Sequence, residues 1–311
     1  MRTFACFAAA GMLAVAVFPE NAAAIAYGEA FDTLYRIDLD AQTATPVGGA
    51  GRYAGQDIGN ISGLTTTADG NLLAVAGGFK LLISLNADNG TAQVIGDLGL
   101  TGQGDPSRND ALDLNMVSGC DGKLWLTSAV ANKIWNVDST SGATTLVGPT
   151  GHTITGLAAL GDALYGAGGK GDNNFYRIDP DSGAATLIGP FGPGLAHWAN
   201  SIAMSFDADG TLWAVINYVP PQNDSDPISD WSDLATIDPA TGALTIVGPI
   251  TGPPTLRGIG MKGFTVGPTQ CTRGAAGPMP APVGSPWMLA LLAGGLLALA
   301  GAYGVRRRVD V

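Results

Sequence analysis

YRIDPDSGAATLIG, residues 176–189, is the stretch on which the fold turns. Tyr176 and Ile178 alternate with Arg177 and Asp179, the period-two pattern of a half-buried strand. Asp179 then opens a D-x-x-x-G turn that closes at Gly183, where a left-handed backbone conformation suits glycine. The segment running to Gly189 is the return strand, so the phrase reads as a β-hairpin.

The phrase recurs as YRIDLDAQTATPVG (35–48), ISLNADNGTAQVIG (83–96), WNVDSTSGATTLVG (135–148) and ATIDPATGALTIVG (235–248). Its anchors are Asp38, Asn86, Asp138, Asp179 and Asp238, spaced 48, 52, 41 and 59 residues apart. Ten residues after each anchor stands a glycine: Gly48, Gly96, Gly148, Gly189 and Gly248. Gly90, Gly142, Gly183 and Gly242 fill the turn position in four copies, and Gln42 fills it in the first.

A second phrase precedes most hairpins: ISGLTTTADGNLLAVA (61–76), LNMVSGCDGKLWLTS (114–128), ITGLAALGDALYGAG (154–168) and IAMSFDADGTLWAVI (202–216). It is another pair of strands about an Asp-Gly or Gly-Asp turn. Two pairs make a four-stranded module of irregular length, the signature of a propeller blade. A β-helix would need shorter, more uniform coils.

The chain ends complete the count. AIAYGEA through TPVGG supplies only second, third and fourth strands, and LRGIGMKGFTV (256–266) supplies an isolated first strand. Joined, they form a composite blade and predict an all-β, five-bladed propeller over residues 25–270. Small residues are expected nearest the axis: Gly63, Asn115, Gly156, Ala203 and Gly260. Tyr27, Trp125, Tyr165 and Trp213, with Leu73, share one second-strand position, which points to packing between blades.

Both ends read as addresses. Arg2, the apolar run Phe4–Phe18 and Ala22-Ala23-Ala24 have the layout of a signal peptide spanning 1–24. Residues 271–286 read as a Pro/Gly-rich linker. Trp287 to Val305 is an uncharged run of nineteen residues, long enough as a helix to cross a bilayer, and 306–311 form a basic cytoplasmic tail. Without Arg2, Glu20, Arg306, Arg307, Arg308 and Asp310, eleven basic and twenty-four acidic residues remain, a net charge of −13. That surface repels nucleic acid and anionic lipid.

Pro282, Ser285 and Trp287, followed by the span and by Arg306, Arg307 and Arg308, resemble the tripartite bacterial sorting signals of the PEP-CTERM and IPTL-CTERM types. The resemblance implies a Gram-negative envelope protein, anchored in the inner membrane or released to the surface by a sorting protease. The repeat is similar to exported bacterial propellers with L-Y-x-I-D-x-x-T-G-x-x-T-x-V-G blades. That second resemblance implies fold rather than activity.

In such a ring, second-to-third and fourth-to-first connections share one face. Here they are the long ones: 49–60, 97–111, 190–200, 249–256 and the insertion 217–233. Long loops on a rigid scaffold are where binding concentrates. His152, His197, Trp198, Arg52, Tyr53, Arg108, Tyr218, Trp231 and Arg257 fall there and form the expected ligand face, for a polysaccharide or a protein. The alternative is that they are ordinary loop residues capping the core.

No nucleophile elbow, zinc motif or carboxylate-rich lactonase site occurs, and no cofactor is implied. Asp224, Asp226, Asp230 and Asp233 could ligate calcium, or form a solvated acidic loop without the glycine and terminal glutamate of an EF-hand. The expected role is non-catalytic binding or scaffolding, with a polysaccharide hydrolase or lyase as the alternative. Cys120 and Cys271 are the cysteines left after signal cleavage. Both fall on the short-turn face, so a disulfide between them is expected.

Overall fold

The computed structural model describes residues 25–219 and 231–271. The predicted signal peptide, the sorting motif, the apolar run and the aspartates Asp224, Asp226 and Asp230 lie outside them. No helix among the described residues is long and apolar enough to cross a membrane.

The strands follow the two phrases. The first blade holds β1 (Ala26–Ala30), β2 (Thr33–Asp38) and β3 (Thr43–Gly49). A small hairpin, β4 (Arg52–Tyr53) and β5 (Gln56–Asp57), precedes the second blade of β6 (Ile61–Thr66), β7 (Leu72–Ala76), β8 (Leu81–Leu85) and β9 (Ala92–Asp97). The third is β10 (Leu114–Ser118), β11 (Leu124–Ser128), β12 (Lys133–Val137) and β13 (Thr144–Pro149). The fourth is β14 (Ile154–Leu160), β15 (Ala163–Gly168), β16 (Asn174–Ile178) and β17 (Ala185–Pro190). The fifth is β18 (Ser201–Phe206), β19 (Leu212–Asn217), β20 (Asp233–Ile237) and β21 (Leu244–Pro249).

The last strand, β22 (Gly263–Val266), pairs antiparallel with β1, so the first blade has the order β22-β1-β2-β3. This is the predicted composite blade. The inner strands β22, β6, β10, β14 and β18 touch in that order and back to β22, closing a five-bladed ring.

The D-x-x-x-G turns owe their shape to the anchor side chain. Oδ1 of Asp138 accepts the Thr140 and Ser141 N–H groups at 2.8 and 3.0 Å, and Oδ1 of Asp179 does the same with Asp181 and Ser182. The turn glycine then adopts φ near +77° at Gly142 and +78° at Gly183. Gln42 takes the same left-handed conformation, at φ +53°.

Five apolar clusters form the core, one at each interface between consecutive blades. Tyr27, Leu73, Trp125 and Tyr165 are buried there, as predicted, and Trp213 is half-buried. The register corrects one axial residue. Tyr27 lies opposite Thr265 as Trp125 lies opposite Val117, so the composite blade's counterpart of Asn115 is Gly263, not Gly260. Gly260 instead packs on Asn217, where an added Cβ would sit 1.7 Å from Oδ1.

After β22 the chain does not leave the ring. Thr269 Oγ1 donates to the Thr66 carbonyl (2.7 Å) and lies 3.2 Å from the Ser118 carbonyl. The Gln270 carbonyl accepts the Gly161 N–H at 3.0 Å. Residues 267–271 therefore form a strap that runs from the first blade to the second, third and fourth across the short-turn end of the axis.

Candidate functional site

The long-loop end of the axis stays open as a funnel of about 510 Å³. Its wall is made from the starts of the inner strands, the fourth-to-first connections and the second-to-third turns. At the opposite end only about 20 Å³ remains beside Thr269 and Gln270. The funnel is lined by the starts of the inner strands, the strap closes the other end of the axis, and the funnel's size falls in the ordinary range for small-ligand sites.

Among the described residues the lining carries three cations, Arg108, Lys170 and Lys262, and one carboxylate, Asp113. Asp113 Oδ2 receives Arg108 Nη1 at 2.8 Å and also pairs with Lys170. Burial alone would raise the Asp113 carboxyl. The hydrogen bonds from Arg108 and Lys170 outweigh it and hold the group below its ordinary value. Lys262 Nζ donates to the neutral amide oxygen of Asn60 at 2.7 Å. A locally cationic cup therefore sits in a chain of net charge −11.

Behind the charges, the wall contains buried polar atoms with no hydrogen-bond partner: Trp198 Nε1, Ser201 Oγ and Asn217 Nδ2. Such groups carry a desolvation cost unless something satisfies them. Phe31, Leu112 and Ile259 add apolar surface, and Phe31 is 59% exposed. Four non-glycine residues of the lining have left-handed backbones: Phe31 (φ +57°), Asn60 (φ +56°), Asp113 (φ +49°) and Lys170 (φ +56°). All four stand in connecting turns, and Lys80 and Asn132 take the same conformation in the second-to-third turns of the second and third blades.

Of the nine residues expected on the ligand face, Arg108 and Trp198 line the funnel, and the other seven do not. Arg52 pairs with Asp57 across the β4–β5 hairpin at 3.2 Å, and Tyr53 meets Phe79 edge-on. His152 Nδ1 lies 3.1 Å from the Tyr176 hydroxyl, which donates to Asp172 at 2.8 Å. Tyr176 is on the third strand of the fourth blade, His152 and Asp172 come from the adjoining loops, and none of the three lines the funnel. Tyr218 is buried and donates to Asp233 at 2.9 Å. Burial raises the Asp233 carboxyl, opposed by Tyr218 and by His197. Arg257 lies over the Trp231 ring at 5.8 Å.

Sequence reasoning missed Lys170, Lys262, Asp113 and Phe31. Phe31 and Lys170 stand in short second-to-third turns, while Asp113 and Lys262 lie just past the loop segments 97–111 and 249–256, immediately before an inner strand. Asp233, the fourth candidate calcium ligand, is engaged by Tyr218. Among the described residues no group of three His, Cys, Asp or Glu side chains is placed to hold a metal ion.

Cys120 and Cys271 are brought together as expected but are free thiols. Cys120 Sγ donates to the Gln270 carbonyl at 3.1 Å. Burial, then the adjacent Cys271 side chain, pushes the Cys120 thiol up to about 12.

No protein-family model and no curated protein matches the sequence. Solved structures do resemble it in fold. Virginiamycin B lyase from Staphylococcus aureus is 18% identical, with a TM-score of 0.41 over 72% of this chain and 65% of that one. TolB from Acinetobacter baumannii is 17% identical, with a TM-score of 0.41 over 73% of this chain and 53% of that one. A chain of the nidogen/laminin complex is 13% identical, with a TM-score of 0.49 over 80% and 100%. This chain thus spans about two thirds of the lyase and half of TolB, and at these identities the likeness is one of architecture.

Proposed function

We propose that the protein is an exported propeller that binds a small ligand, without transforming it, in the funnel on its long-loop face. The observation that carries this reading is the funnel itself. It is a preformed concavity with converging charges and unsatisfied wall groups on a rigid ring. The signal-peptide layout of 1–24 and the sorting-signal layout of 282–308 support delivery to the envelope. There the apolar run would anchor the chain in the membrane and a sorting protease would act on it. The strap leaves the ring on the short-turn face, so such an anchor would turn the funnel away from the membrane. An oxidising compartment would also allow Cys120 and Cys271 to join as a disulfide that fastens the strap.

Catalysis on a polysaccharide is the competing reading. A glycoside hydrolase of the usual kind needs two carboxyl groups in distinct protonation states. Among the described residues the funnel lining offers Asp113 alone, held ionised by Arg108 and Lys170. That composition supports binding.

Hydrogen–deuterium exchange of the full-length chain against a panel of neutral sugars, sugar acids and short peptides tests the reading. Protection should appear at 108–114, 169–171 and 258–262, with every panel compound recovered unchanged. Protection confined to the short-turn face, or conversion of a bound compound, would overturn it.

A further inference from the structure

We propose that the funnel is selective for a carboxylate-bearing saccharide, its acid group held by Lys262 together with the Arg108–Asp113–Lys170 cluster and its ring seated against Phe31. The inference rests on the binding reading above and adds the chemical class of the ligand.

Charge is the first argument. The chain is strongly acidic, yet among the described residues three cations line one concavity against one carboxylate, and two of them, Arg108 and Lys170, meet on Asp113. Clustered cations repel one another, so the cluster needs an anion to be stable. Asp113 supplies one and braces Arg108 and Lys170. Lys262 Nζ donates to a neutral partner, Asn60, and the carboxyl that feels its charge, Glu29, is fully buried, where desolvation disfavours the ionised form. An incoming carboxylate would complete the set through charge-assisted hydrogen bonds.

The wall identifies the rest of the ligand. Trp198 Nε1 and Asn217 Nδ2 are pure donors, and Ser201 adds a hydroxyl; all three are buried and unpartnered. They suit a molecule rich in oxygen acceptors. Phe31, by contrast, is an aromatic ring left largely exposed at the rim, in a left-handed backbone conformation that its own side chain disfavours. A pyranose offers both kinds of surface, hydroxyl oxygens at its edge and a C–H face that an aromatic ring can cover. A small inorganic anion would use the cations but leave the apolar rim in water. The long-range field of an acidic protein also opposes a polyanion such as nucleic acid, while a short acid can shelter inside the cup.

Isothermal titration of the full-length chain with trigalacturonate, galactotriose and inorganic phosphate tests this. Trigalacturonate should bind, more weakly as sodium chloride rises, and at least about tenfold tighter than galactotriose, a difference of about 1.4 kcal/mol. Lys262→Gln should weaken the acid about tenfold at an unchanged Tm, and Lys262→Arg should restore most of it. Phe31→Ala should weaken both trisaccharides. Equal binding of the neutral trisaccharide overturns the acid selectivity, and tighter binding of phosphate overturns the saccharide class; both leave a binding funnel standing. Failure of all three probes to bind overturns the inference, and the exchange panel then decides the funnel reading by itself. Trigalacturonate binding that is indifferent to Lys262→Gln and Phe31→Ala rejects the funnel as its site.

Discussion

Glu29 is the one glutamate among the described residues, and both its carboxyl oxygens are buried without a hydrogen-bond partner. Burial raises its pKa well above the ordinary 4.5, more than the Lys262 charge lowers it. The folded state thus holds this proton more tightly than the unfolded chain. Its contribution to stability is complete below pH 4.5 and is lost as pH rises through the folded value. Glu29→Gln, neutral at every pH, should therefore raise Tm at neutral pH, with the gain shrinking as pH falls toward 4.5. Melting curves of both proteins across that range check it, and a gain that grows in acid would contradict it. The cysteines make a second test. In reduced protein, exposed Cys271 should be alkylated before Cys120, whose raised pKa keeps it a thiol. Protein recovered from the periplasm should give a Cys120–Cys271 peptide on non-reducing mapping. Closing a loop of 150 residues would stabilise by up to about 5 kcal/mol in the chain-entropy account. Two free thiols after export would reject the bridge.

At the scale of the blade, the glycine ten residues after each anchor has an explanation outside its own hairpin. An added Cβ at Gly48 would lie 2.1 Å from the Asn89 carbonyl, at Gly96 1.7 Å from Ser141, at Gly148 2.1 Å from Ser182 and at Gly189 2.2 Å from Thr241. Each of these oxygens belongs to the D-x-x-x-G turn of the next blade. Gly248 completes the circuit against Gln42 of the first blade's turn. The same position in every blade follows a β-bulge, as between Ile134 and Trp135 or Phe175 and Tyr176, which bends the outer strand toward its neighbour. Gly148→Ala should cost about 1–3 kcal/mol, because backbone must shift to admit it. Gly122→Ala is the control: its φ of +76° strains an alanine, but nothing lies within 4 Å of the new Cβ. Urea unfolding should find Gly148→Ala the more costly of the two, and the reverse order would refute the docking account.

For the whole molecule, closure depends on pairing the two ends of the ring, since β22 hydrogen-bonds to β1 and packs on both β6 and β18. A chain of residues 25–275 should be soluble and unfold in one cooperative transition, because every predicted blade strand lies within it. Ending the chain after Val266 instead removes the strap's hydrogen bonds to Thr66, Ser118 and Gly161. That version should still fold but melt lower, and its axis should open at the short-turn end. Calorimetry distinguishes the two. If removal of residues 276–311 alone unfolds the ring, the tail is part of the fold and the proposed anchor role fails.

Much of the architecture was legible in the amino-acid order because propeller blades are local. Turn glycines, anchor aspartates and alternating strands all act within about forty to sixty residues, so the repeat, the blade count and the composite first blade could be read directly. The shared position of Tyr27, Trp125 and Tyr165 likewise announced packing between blades. Even the glycines after each bulge were visible as a spacing, though their cause lies in the neighbouring blade. The axial register of β22 was not legible, since glycines at 258, 260 and 263 fit the pattern about equally and pairing with β1 chose Gly263. Nor was the funnel. Phe31, Asp113, Lys170 and Lys262 stand far apart in sequence, on the first, third and fourth blades, and none belongs to a motif. Their convergence arises when the ring closes, because only then do the starts of five inner strands face one axis. Local hydrogen bonding thus determined the blades, and ring closure decided which charges share one cavity.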